Sequence, residues 1–155
     1  MNGSKNNGRS AVTILRSIWA VVAGYLTLSL LVIILLVIAV TIVPQWKKTA
    51  DGAYLATNLM LSVVSAAFGG YVCARLSPDR PLGHALALGL VTLVLGVLYA
   101  LSMPTEAGRA APPGWYGPAL AVLALPSVLL GALVFTRTHR PAAPRQPDRV
   151  PTASP

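Results

Sequence analysis

Apolar residues run along this chain in four long blocks, with no sustained alternation of the kind that marks a strand. The first block reads SIWAVVAGYLTLSLLVIILLVIAVTIV, residues 17–43. The others extend from about Gly52 to Arg75, from Leu82 to Met103 and from Trp115 to Thr136. A stretch of 18 or more apolar residues predicts a membrane-spanning helix, because about 20 residues of helix cover about 30 Å of hydrocarbon. The pattern therefore predicts four spans, over 15–43, 52–75, 82–103 and 115–136. The fold class is all-α, an integral membrane four-helix bundle.

Polar and helix-breaking residues punctuate the blocks. Pro44 closes the first span, since proline lacks an N–H and disfavours helical geometry in the residue before it. QWKKTAD, residues 45–51, connects it to the second. SPDRP, Ser77 to Pro81, forms a tight turn that makes spans two and three antiparallel neighbours. PTEAGRAAPPG, Pro104 to Gly114, is the longest internal loop. The ends differ in kind: residues 1–14 are expected to be a cytoplasmic tail, disordered over its Asn-, Gly- and Ser-rich first ten residues, and 137–155 a disordered, Pro-rich cytoplasmic tail.

Charge sharpens this picture. No charged residue lies between Arg16 and Lys47, Asp51 and Arg75, Arg80 and Glu106, or Arg109 and Arg137, giving uncharged runs of 30, 23, 25 and 27 residues. Charged residues make up only 10% of the chain, against about a quarter in soluble domains. That balance excludes a soluble enzyme, a disordered chain, a disulfide-rich secreted domain and a nucleic-acid binder. Lys5, Arg9 and Arg16 before the first block resemble the basic region of a signal peptide, but a secretory apolar region is only about 7–15 residues long. The first span is therefore expected to stay uncleaved.

The cations also set the orientation. With the N-terminus inside, nine Lys and Arg fall on cytoplasmic segments and three, Lys47, Lys48 and Arg109, on outside loops. The bias of short loops toward inside cations predicts N-in/C-in topology. Trp46, Tyr54, Trp115 and Tyr116 then mark the outer boundary, and Trp19 and Tyr71 the inner one. The net charge of +8 reads as an orientation signal plus attraction to anionic headgroups on the cytoplasmic side. No nucleic-acid partner is expected.

Chemistry is sparse. Ionisable groups at membrane depth are functional by default, yet Asp51, Asp79, Glu106 and Asp148 all fall in loops or the tail. His84, a few residues inside span three, is a candidate interfacial titrating group; His139 is expected to be solvated in the tail. Cys73 is the only cysteine, so no intrachain disulfide forms, and a small apolar filler is the expected role. No catalytic, cofactor-binding or metal-binding residue is expected, and no cofactor.

The spans offer packing instead. Asn58, Ser62, Ala66, Gly70 and Ala74 recur every four residues on helix two, with Ser65 and Gly69 beside them. Ala85, Gly89 and Gly96 provide a smooth face on helix three, and Ser127 and Gly131 on helix four. Lipid gives helices no hydrophobic reason to associate, so close backbone approach at small residues takes its place. These residues are the candidate helix-packing set, within the chain or between copies, with a polar cavity around Asn58, Ser62 and Ser65 as a further use. Asn58 should hydrogen-bond a neighbouring helix, and Pro126 should kink helix four. A shift of 62 residues aligns Gly52, Tyr54, Leu61, Ser65, Gly69, Val72 and Arg75 with identical residues of helix four. A duplicated hairpin of the kind found in some transporters and coincidence are both open.

The stretch AAFGGYVCARLSPDRPLGHALALGLVTLVLGVLYAL, Ala66 to Leu101, carries G-G-Y-x-x-A-R at the end of one span, a Pro-containing turn and a small-residue-rich next span. It resembles small four-helix bacterial membrane proteins of uncharacterised function. The resemblance covers about a quarter of the chain and implies a multi-pass protein of the bacterial cytoplasmic (inner) membrane, with no functional residue carried over. The function expected is association with its own copies or with another membrane protein, without enzymatic activity. The alternative is a small oligomeric transporter or channel-like protein for a neutral substrate.

Overall fold

A computed structural model describes residues 4–47, 51–77, 80–102 and 112–139. They form four α-helices: α1 (Ser4–Ile42), α2 (Gly52–Leu76), α3 (Pro81–Ser102) and α4 (Tyr116–Thr138). Each contains a segment long and apolar enough to cross a membrane. The expected bounds of α2, α3 and α4 hold to within about two residues.

The first helix departs from expectation. It begins at Ser4, where a tail had been expected up to residue 14, and runs for 39 residues, about 58 Å at 1.5 Å per residue. Extending an existing helix needs no new nucleus, and no proline interrupts the chain before Pro44; Gly8 costs only about 1 kcal/mol. Pro44 then ends α1 as expected and opens a short 3-10 turn, Pro44–Lys47, its fixed φ suiting a first helical position. At the other end of the chain α4 continues through Arg137 to Thr138, so the expected tail at 137 starts two residues too early; residues 140–155 lie outside the described residues, as do 104–111 of the Pro104 to Gly114 loop.

Local signals explain the remaining ends. The Asp51 carboxylate accepts the Tyr54 backbone N–H at 2.8 Å, capping α2. Ser77 closes that helix with its N–H on the Cys73 carbonyl. Pro81 starts α3 at the position where a missing N–H costs nothing. Arg75 and Arg137 occupy the last turns of α2 and α4, where the helix dipole favours cations. Pro126 lies inside α4, which stays one continuous helix.

Contacts along the helices give their relative directions. Gly24 faces Cys73 and Leu28 faces Gly69, so α1 and α2 are antiparallel. Gly89 against Leu125 and Gly96 against Ala121 make α3 and α4 antiparallel too. Asn58 meets Tyr116 near both helix starts and Tyr71 meets Phe135 near both ends, so α2 and α4 run parallel. The chain thus passes up and down four times.

Helix α2 touches all three others, most broadly α4 and α1. Helix α3 packs mainly on α4 and meets α2 over a smaller area. The short turn after α2 makes α2 and α3 antiparallel neighbours, as expected. It brings their ends together, but the small residues of α2 are directed at α4 and α1, and packing follows them. The core is made of Ala20 and Leu28 from α1, Ala66, Cys73 and Ala74 from α2, Ala85 and Leu88 from α3, and Val128 and Ala132 from α4.

Candidate functional site

Two seams on α2 organise the bundle. On the first, Gly70 lies so close to α4 that an added Cβ would fall 2.0 Å from the Val128 carbonyl oxygen, and Gly131 would place one 1.8 Å from the Ala67 carbonyl oxygen. Both obstacles are backbone, so only glycine fits either position. Ala66, Ala74 and Ser127 are buried nearby. On the second seam, a Cβ on Gly69 would meet Leu28 at 2.7 Å and the Gly24 carbonyl oxygen at 2.8 Å. A Cβ on Gly24 would in turn meet Cys73 and Leu88, both at 2.8 Å. Cys73 is completely buried in this contact.

Helix three joins through Gly89, whose added Cβ would lie 3.3 Å from Leu125, and through Ala85, which is fully buried. Gly96 sits more loosely, its added Cβ falling 3.9 Å from the Ala121 Cβ. Sequence reasoning missed Gly24, although Ala20 and Gly24 form a small-xxx-small pair inside the Leu- and Val-rich first span. It also missed Ala67 and Val128, whose side chains give no signal because their backbones make the contact.

The side chains of Asn58, Ser62, Ser65 and Ser127 are all engaged. Asn58 Nδ2 donates to the Tyr116 hydroxyl at 2.5 Å, joining α2 to α4. Ser62 Oγ donates to the Asn58 carbonyl and Ser65 Oγ to the Leu61 carbonyl, both at 2.7 Å. Ser127 does the same to Leu123 at 2.6 Å. Bonding to the carbonyl one turn back satisfies a hydroxyl without water, as hydrocarbon surroundings require. The groups considered for a polar cavity are thus turned toward their own helix or toward Tyr116. Tyr116 itself is 7% exposed and is edge-on to Trp115 at 6.0 Å; Trp46 and Tyr54 pack edge-on at 5.9 Å at the same end.

The opposite end carries Arg16, Arg75, Arg80 and Arg137 and both histidines. His84 is half-buried, its Nδ1 lying 2.7 Å from Ser77 Oγ and 2.9 Å from the Arg80 carbonyl oxygen. If Nδ1 carries the proton it donates to these oxygens; if not, it accepts from the Ser77 hydroxyl. In either tautomer the imidazole ties the cap of α2 to the first turn of α3. His139 is exposed, as expected, but not a free tail residue. It caps α4 and stacks on Phe135 at 4.5 Å, and Phe135 packs edge-on against Tyr71 at 5.5 Å.

Among the described residues, no three His, Cys, Asp or Glu side chains gather where a metal ion could be held. A shallow apolar groove of about 420 Å³ opens between α3 and α4 at the basic end, lined by Leu82, Gly83, Leu86, Leu129 and Leu133. Compared with protein-family models, curated proteins and solved structures, the chain matches none.

Proposed function

We propose that this is a non-catalytic multi-pass protein of a bacterial cytoplasmic membrane, with both ends inside, that acts by lateral association through α1. The observation that carries this is the second half of α1. None of the fourteen residues from Ser29 to Ile42 is buried, and Ile33, Ile34, Val37, Ile38 and Ile42 are exposed. The small-residue faces of α2 and α4 are occupied within the chain, whereas the Ile- and Val-rich face of this half-helix is exposed. Branched, rotamer-poor side chains lose little freedom when another helix packs on them, and dispersion contacts are what hold helices together in lipid. The Lys/Arg distribution supports the orientation, and the G-G-Y-x-x-A-R resemblance supports the bacterial setting.

The test uses single cysteines in a Cys73→Ala background, with Leu30→Cys, Ile34→Cys, Val37→Cys and Ile38→Cys probed in native membranes by a short bifunctional thiol reagent. Association predicts adducts whose yield follows one face of α1. An adduct at twice the chain mass identifies a second copy, and one at another mass a different membrane protein. Uniformly absent adducts along α1 would refute the proposal.

A further inference from the structure

The apolar groove between α3 and α4 ends at two arginines. Arg137 lies one turn beyond Leu133 and two beyond Leu129, so it shares the face of α4 that lines the groove. Arg80 immediately precedes α3, and its Cβ is 3.7 Å from the position a Gly83 Cβ would take. Both arginines are exposed. Among the described residues Asp51 is the only acid, and it caps α2 at the far end of the bundle. The groove mouth therefore carries two cations, with Asp79 of the preceding turn outside the described residues, above a wall made of leucine side chains and one glycine.

We propose that this groove binds an anionic phospholipid, an acyl chain lying along Leu86 and Leu129 and the headgroup phosphate between Arg80 and Arg137. The charge complementarity selects the occupant. A zwitterionic lipid offers the phosphate with its own cation attached, whereas an anionic one leaves a net charge for the two guanidiniums, whose forked donors match phosphate oxygens. Basic pockets between spanning helices on the cytoplasmic side bind anionic headgroups in general. The first turn of α3 adds its positive helix end beside the same spot. Gly83 keeps the upper wall open, since nothing but Arg80 approaches it. The inference rests on the membrane-spanning reading of α3 and α4, but it needs no association through α1.

Native mass spectrometry of the purified full chain, titrated with phosphatidylglycerol or phosphatidylcholine in one neutral detergent, tests it on the monomer peak. Retention on the monomer separates this outcome from the fate of the association proposal. Phosphatidylglycerol should be retained in preference to phosphatidylcholine. Arg80→Gln combined with Arg137→Gln should weaken it about 25-fold, about fivefold for each cation at an anionic surface. Arg16→Gln combined with Arg75→Gln, elsewhere on the basic end, should change retention less than threefold. Gly83→Leu should fill the groove and lower retention while leaving the melting temperature in detergent unchanged, because its side chain enters open space. Equal retention of the two lipids, or equal losses from the two arginine pairs, would overturn the proposal. So would millimolar inorganic phosphate displacing the lipid completely, since that would make the site a free-anion site.

Discussion

The tightest contact in the bundle, α2 on α4, makes the sharpest prediction. In Gly70→Ala the new methyl would lie 2.0 Å from the Val128 carbonyl oxygen and 2.8 Å from its carbonyl carbon. A carbon–oxygen contact normally stays at about 3.3 Å or more, so the helices must part by about 1.3 Å. A gap of that size forfeits about half of each dispersion contact along the seam. Overpacking of this kind costs about 1–3 kcal/mol, and only about 1 kcal/mol returns from the better helix propensity of alanine. The outcome expected for Gly70→Ala is a net loss of up to about 2 kcal/mol, and Gly70→Leu should be worse. Gly83→Ala is the internal control: it meets no atom nearer than 3.7 Å and should be neutral or stabilising by up to about 1 kcal/mol. Gly131→Ala meets the same seam from the other side, so once either alanine has separated the helices the second costs less. The double variant should therefore fall short of additivity by at least about 0.5 kcal/mol. Reversible denaturant melts in one detergent measure all five variants. If Gly70→Ala and Gly83→Ala melted alike, the close approach of α2 to α4 would be refuted.

Other outcomes follow from single contacts and from the charge pattern. Asn58→Leu and Tyr116→Phe should each lose about 0.6 kcal/mol, the average for interhelical hydrogen bonds, and a double-mutant cycle should show that they lose the same interaction; independent effects would mean the bond does not form in the membrane. Val64→Leu, on the exposed face of α2, should leave the melt within about 0.5 kcal/mol of the parent. Reporter fusions after Gln45, Asp79, Arg109 and Arg145 should read out, in, out, in, and a periplasmic signal at Arg145 would overturn the N-in/C-in assignment. Truncation after Arg140 removes a segment with little apolar surface to bury and should leave membrane accumulation intact; loss of accumulation would give the tail a structural role.

The spans were legible because hydropathy and length are local properties, and because Pro44, Gly52, Pro81 and Gly114 punctuate them in the sequence itself. The start of α1 was not. Ser4 to Arg16 has the composition of a tail, and only continuity with the apolar helix behind it makes the segment helical. The small-residue stripe showed that α2 has packing faces, but spacing cannot say which neighbour each face meets. Gly70 and Gly69 are adjacent in sequence, yet one is pressed against α4 and the other against α1. That Asn58 needed a partner on another helix was clear from the cost of an unpaired amide in hydrocarbon. That the partner is Tyr116 depends on α2 and α4 being parallel, which no local pattern states. The Asp51 cap could have been read, since an Asp directly before an apolar run is a helix-start signal.

Parallel packing also bears on the 62-residue similarity between α2 and α4. Ser65 and Ser127 are both buried, and their hydroxyls bond the aligned carbonyls of Leu61 and Leu123. Two parallel helices in contact cross the same depths of the membrane, so each meets the same need for small residues at the crossing, an aromatic ring near the interface and a cation at the C-terminal turn. These demands account for Ser65 and Ser127, Tyr54 and Tyr116, and Arg75 and Arg137 without common descent. The glycines separate the two explanations. In a duplicated hairpin, α1 and α2 would correspond to α3 and α4, and Gly131 would face α3 as Gly69 faces α1. Gly131 faces the backbone of Ala67 on α2 instead. The aligned glycines therefore do different jobs, one closing a hairpin and the other joining the two hairpins.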